Sequence, residues 1–238
     1  MFPIRGAPAK QYRPWVTLGL IAANVAVFLY LLYLGPQAQS AIFSQKGAVA
    51  AKLSQPSLVT SYQAWRLLPT MFSSLFLHGG WLHLIGNLWF LWVFGEALED
   101  DLGHRRFLAF YLFCGFFAGL FHVLASSSLS APLIGASGAI AGVLGGYLIR
   151  LPKAPIHTVV FWRLRPEIWQ VPAFFWLLLW LALQFYGLRQ GGPVAWMAHL
   201  GGFFMGMLMV NFFTPVKPAA VNQKPAAKKG RAGKGKKK

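Results

Sequence analysis

Charged side chains divide this chain unevenly. Five stretches contain no Asp, Glu, Lys or Arg: Pro14–Gln45, Leu67–Gly95, Phe107–Ile149, Ile168–Leu188 and Gln190–Val216. A helix crossing a hydrocarbon core needs about 20 mostly apolar residues. Four of the stretches therefore accommodate one helix each. The third, 43 residues long, accommodates two, divided by the polar patch Ala125–Pro132. The pattern predicts six helices, near 14–34, 80–98, 106–126, 137–150, 171–187 and 193–213. The expected fold class is all-α: a polytopic membrane protein built as a six-helix transmembrane bundle. The expected organisation is a short cytoplasmic N-terminus over 1–13, a membrane domain over 14–213 and a disordered basic cytoplasmic tail over 214–238.

Composition agrees with this pattern. The chain has 238 residues, is 56% hydrophobic and only 11% charged, against about 25% charged in ordinary globular domains. A single cysteine, Cys114, excludes an intrachain disulfide framework. The first helix is too long for a cleavable signal peptide, and Leu32-Tyr33-Leu34-Gly35 offers no small-residue cleavage site.

The formal charge of +17 points first to nucleic acid, but its distribution points elsewhere. With six spans, 18 Lys and Arg residues fall on one side and four on the other, and the ratio is still nine to four without the tail. The positive side is cytoplasmic, so both termini are expected there. The Lys/Pro/Ala/Gly-rich tail reads as a disordered segment that contacts anionic lipid. No base-reading motif accompanies it, and no specific nucleic acid is expected. No internal repeat indicates a transporter built from two similar halves.

With this topology, depth follows from a rise of about 1.5 Å per residue. Ser137 lies roughly 20 Å above Arg150, His199 roughly 21 Å above Phe213, and Asn87 roughly 18 Å above Glu99. A serine, a histidine and an asparagine on three helices thus reach one level. Polar groups inside a membrane are costly and usually mark function.

Approach is also encoded. Gly138-x-x-x-Gly142-x-x-x-Gly146 and His199-x-x-Gly202-x-x-x-Gly206 each place small residues on one helix face. Such spacing lets helices pack backbone to backbone, which would bring Ser137 and His199 together. Pro132 and Gly135 break regular structure just before Ser137. The segment before that helix is therefore expected to dip into the protein, with free N–H groups at the helix start suited to a developing oxyanion. His83 and Asn87 are four apart, share a helix face, and can both donate hydrogen bonds. Acyl transfer needs a nucleophile, a base and oxyanion donors; Ser137, His199 and the His83/Asn87 pair supply them. The five acids, Glu96, Glu99, Asp100, Asp101 and Glu167, all fall near the cytoplasmic side. A Ser–His dyad without an orienting carboxylate is expected.

Taken in order, "WRLLPTMFSSLFLHGGWLHL", "HLIGN", "GASG" and "AHLGGFFMG" resemble the rhomboid family of intramembrane serine proteases, over roughly Pro14 to Phe213. The resemblance implies Ser137 as nucleophile, His199 as general base, and an oxyanion hole of His83, Asn87 and the Ser137 N–H. It implies a structural role for Trp65-Arg66 in the first outer loop, and for Glu96 at the cytoplasmic end of the second span. It implies cleavage of other membrane proteins within or beside a transmembrane segment, water supplied through an outer cavity, and entry gated by the fifth span with a cap loop. One departure stands out: some members carry an aromatic residue one turn after the serine, stacked on the base, where this chain has Ala141.

No cofactor is expected, and no metal: His78 and His83 are five apart, and no His-Glu-x-x-His occurs. His78, His104, His122 and His157 fit no site pattern. The expected partners are transmembrane protein substrates and membrane lipid. The short N-terminus points to a bacterial cytoplasmic membrane. Two other functions are open to the sequence. A non-proteolytic member of the same fold would bind and escort membrane clients, although such relatives usually lack the dyad. A small transporter would need ionisable residues along a pathway, and the acid-free centre offers none.

Overall fold

A helix occupies most of each expected span in the computed structural model, which describes residues 1–9, 11, 13–49, 68–125, 132–162, 165–191 and 194–215. The α-helices whose ends both fall among the described residues are α1 (Trp15–Leu34), α2 (Pro36–Lys46), α3 (Trp81–Leu102), α4 (His104–Ala125), α5 (Ser137–Arg150), α6 (Ala173–Gln190) and α7 (Trp196–Met209). A 3-10 turn carries α7 on to Phe213. Trp15–Leu34, His104–Ala125 and Trp196–Phe213 are long and apolar enough to cross a membrane on their own composition. Trp65-Arg66, the polar patch after Ala125 and the basic tail beyond Pro215 lie outside the described residues.

The fold departs from the all-α expectation. Strands β1 (Phe2–Arg5), β4 (Pro155–Trp162) and β5 (Arg165–Pro172) form an antiparallel sheet in the order β1-β4-β5, and β2 (Ala48–Val49) pairs with β3 (Pro132–Leu133). The β4–β5 register runs from Pro155 opposite Pro172 to Trp162 opposite Arg165, an uninterrupted hairpin. Its physical basis is a run rich in β-branched and aromatic residues, "PIHTVVFW". Ile156, Thr158 and Val160 alternate inward and are buried. The N-terminal segment is therefore not a free tail. β1 lies along α3, where the Trp89 indole N–H donates to the Pro3 carbonyl at 2.6 Å and Phe2 stacks on Trp89.

Helix α2 was also not expected. It begins just after Gly35 (φ 85°) with Pro36 in its first turn, a position where the missing N–H costs nothing.

Helix α5 is the centre of the bundle, with every residue from Gly138 to Tyr147 buried. It packs most extensively on α7, then on α4 and α3. The glycines explain the closeness. A Cβ on Gly202 would collide with the Gly138 carbonyl oxygen, and one on Gly206 with the Gly142 carbonyl oxygen. Ala118 of α4 closes the third side, its Cβ 2.6 Å from where a Gly138 Cβ would stand. Helix α6 sits outermost: Ala173, Leu177, Gln184 and Gly187 form its buried stripe, while Phe175, Leu178, Leu183 and Tyr186 are exposed.

The acids act as clamps at one end of this bundle. Glu99 is completely buried and accepts the N–H groups of Val16 and Thr17 at 2.9 and 2.7 Å, with the Thr17 hydroxyl at 2.7 Å. It thereby caps α1 from α3, where free N–H groups and the helix dipole favour an anion. His104 Nδ1 meets the same carboxylate at 2.6 Å. Arg150 grips Asp101 in a two-pronged contact at 2.7 and 3.1 Å, tying the ends of α5 and α3. Glu96 accepts the Ala9 N–H. The structural acid expected at Glu96 is thus a pair, with Glu99 the more deeply engaged.

Candidate active site

Ser137 is the first residue of α5, preceded by the N-cap Ala136. Alanine has no side-chain oxygen to satisfy the free N–H groups of the first turn, and no side-chain cap bond forms there. The segment leading in does dip into the protein, as expected. β3 holds its start against β2, the Gly135 N–H donates to the Ser74 carbonyl at 2.9 Å, and Gly135 and Ala136 are buried.

Gly135 determines what can approach. Its φ of +118° lies where side chains are rarely tolerated. A Cβ there would stand 2.5 Å from His83 Nε2 and 3.6 Å from Asn87 Nδ2. The missing side chain lets His83 and Asn87 of α3 reach the turn that carries Ser137. His83 and Asn87 thus lie beside Gly135, two residues before Ser137.

Asn87 is buried and paired. As oriented, its amide N–H₂ donates to His78 Nε2 at 2.9 Å, leaving a second N–H for another acceptor. His78, read from the sequence as ordinary, is 2% exposed, and its ring lies edge-on to His83 with centroids 5.0 Å apart. The expectation for His78 is corrected: it belongs to this cluster and braces Asn87. The glycines after it, Gly79-Gly80 before α3, are the sequence signal of a turn that aims it inward.

His199 is the fourth residue of α7. The glycine packing brings its neighbour Ala198 beside Gly138, the Ala198 carbonyl 3.7 Å from where a Gly138 Cβ would stand. Ser137 and His199 thus flank a direct α5–α7 contact. Among the described residues, no hydrogen bond joins their side chains; such contacts are often long before substrate binds. His199 Nδ1 is instead bonded to Gln184 Oε1 of α6 at 2.8 Å. Trp180 and Trp196 flank the imidazole, with centroids 6.0 and 5.9 Å away. These three contacts hold the imidazole, while Ala141, one turn after Ser137, is fully buried and has no ring to offer. Gln184 escaped the sequence reading, although it is the sole amide between Ala173 and Leu188.

No group of three or more His, Cys, Asp or Glu capable of holding a metal occurs among the described residues. Glu96, Glu99 and Asp101 are engaged with the N-terminal segment, α1 and Arg150.

Comparisons with known proteins identify the family. A family model described as "Rhomboid domain" matches residues 61–215. "RHOMBOID-like protein 4" of Arabidopsis thaliana is 30% identical over 255 aligned positions, covering 94% of this chain and 60% of that protein. "Rhomboid protein 1, mitochondrial" of Saccharomyces cerevisiae is 30% identical, covering 84% of this chain and 53% of the yeast protein. "Rhomboid protease GlpG" of Yersinia pseudotuberculosis is 27% identical, covering 82% and 61%. The chain thus spans between about half and two thirds of the length of these relatives. Their sources include a plant and a mitochondrion as well as a bacterium, so similarity does not single out a bacterial membrane. The matched residues include His78, His83, Asn87, Ser137, Gln184 and His199; this multi-pass integral membrane protein belongs to the rhomboid family.

Proposed function

We propose that this protein is an intramembrane serine endopeptidase that cleaves other membrane proteins within or beside their transmembrane segments. Ser137 is the nucleophile and His199 the general base. The Ser137 N–H, Asn87 and His83 bind the oxyanion. The protein spans the membrane six times with both termini cytoplasmic, and its basic tail rests on anionic lipid.

The observation that carries the proposal is the convergence at Gly135. A glycine turn just before Ser137, at an uncapped helix start, leaves room for His83 Nε2 and Asn87 Nδ2 of α3, two side chains able to donate hydrogen bonds, and this supports the reading. A packing serine needs no such donors. The steps follow from the residue chemistry. Ser137 Oγ bonds to the scissile carbonyl carbon as its proton passes to His199 Nε2. The C=O pair moves to oxygen and is held by the free N–H groups, where fixed donors outperform water. Collapse breaks the C–N bond, and the Nε2 proton goes to the leaving nitrogen. Water then releases the acyl-enzyme with the same base. Fluorophosphonate labelling of the purified protein tests the proposal. Wild type should label, and Ser137→Ala and His199→Ala should not. Folded wild type that neither labels nor cleaves would favour a client-binding relative.

A further inference from the structure

We infer that Gln184 is the third member of the catalytic unit: a neutral positioning residue on α6 that locks His199 in the tautomer needed for a base. The inference rests on the proposed dyad and extends it.

The reasoning turns on which end of the Gln184 amide faces the imidazole. Gln184 is 5% exposed, so its polar atoms must find partners within the protein. Its Nε2 donates to the Trp180 carbonyl at 2.9 Å. A carbonyl oxygen only accepts, so that contact requires the NH₂ end and settles the amide orientation. The Oε1 end is thereby turned to His199 Nδ1 at 2.8 Å. An amide oxygen also only accepts, so Nδ1 must carry a proton. In a neutral imidazole the remaining nitrogen, Nε2, is then the lone-pair acceptor. That is the nitrogen which must take the Ser137 proton.

The surrounding packing holds this arrangement still. Trp180, Gln184 and Gly187 lie along one face of α6. Trp196 seats on Gly187, where a Cβ would stand 2.5 Å from the indole ring, and its N–H donates to the Gly191 carbonyl at 3.1 Å. The two indoles limit rotation of the imidazole and the amide selects its proton. Glu96, Glu99 and Asp101 are committed to Ala9, to the start of α1 and to Arg150, and the amide supplies orientation without charge. When His199 becomes doubly protonated during reaction, the Oε1 dipole still faces its Nδ1–H.

The test combines spectroscopy with kinetics on the full chain in detergent. ¹⁵N-histidine NMR, with His199 assigned by difference from His199→Ala, should show a protonated Nδ1 and a bare Nε2 in wild type. Gln184→Leu should yield a mixture of tautomers. Its rate of fluorophosphonate labelling and its kcat on a transmembrane substrate should fall by about 10–10²-fold with KM little changed. This is less than the ~10⁴ lost when the charged orienting residue of a Ser-His-Asp triad is disabled, because a neutral amide contributes no charge. Gln184→Glu keeps an acceptor at Nδ1 and should recover most of the rate. A wild-type His199 protonated at Nε2 would overturn the inference without any variant, as would Gln184→Leu with a single Nδ1–H tautomer and wild-type kcat. If Ser137→Ala were to retain turnover, the dyad itself would fail, whatever the state of Gln184.

Discussion

At the scale of single residues, the site combines groups chosen for what they lack as much as for what they carry. Gly135 lacks the Cβ that would exclude His83, and Ala136 lacks the oxygen that would consume the helix-start donors. Asn87→Ala should lower kcat by about 10²–10³-fold if its free N–H is a main oxyanion donor; a loss below about threefold in the cleavage assay would reassign it to structure. Ser137, His199 and Asn87 stood out in the sequence because the depth reckoning put them at one level, and His83 because it shares a helix face with Asn87. His78 and Gln184 could not be found that way. His78 lies in the turn before α3, outside any helical periodicity, and its hydrogen-bond partner is Asn87. Gln184 is not ionisable, and a search for a carboxylate to orient the base passes over an amide that does the same geometric task.

At the scale of elements, the α5–α7 contact positions the site. Gly202→Leu would drive a side chain into the α5 backbone. Separation of the two helices should reduce fluorophosphonate labelling by more than tenfold and lower the melting temperature. Gly19→Ala on α1, where a Cβ meets nothing within 4 Å, is the matching control. It should be neutral or gain up to ~1 kcal/mol, because glycine is a poor mid-helix residue. The cap that Glu99 gives α1 has a separate signature. Glu99→Ala leaves the N–H groups of Val16 and Thr17 without their acceptor and should cost about 2–4 kcal/mol, read as a lower melting temperature. The helices and their glycine contacts were legible because apolar length and four-residue spacing follow from geometry alone. The hairpin was not. Its Val/Ile/Thr/Phe/Trp run lies between the expected helices at 137–150 and 171–187, beside Arg163, Arg165 and Glu167, where no strand was predicted. Pairing with β1 depends on contacts between distant parts of the chain, which local pattern does not encode.

At the scale of the whole molecule, the proposed orientation rests on the distribution of Lys and Arg. The wild-type thiol, Cys114, is buried, so single cysteines at exposed positions report sidedness cleanly. A membrane-impermeant maleimide applied to intact cells should label Gln45→Cys. Arg105→Cys should label only after the membrane is opened; the reverse pattern would invert the topology. The central claim is that a membrane-embedded serine hydrolyses the peptide bonds of membrane proteins. Its most direct test is cleavage of a single-span protein substrate co-reconstituted in liposomes, with wild type beside a folded Ser137→Ala variant. The account predicts that wild type yields two fragments cut within or beside the span, and that the variant yields none. Equal cleavage by both, or none by a folded wild type across several such substrates, would contradict it.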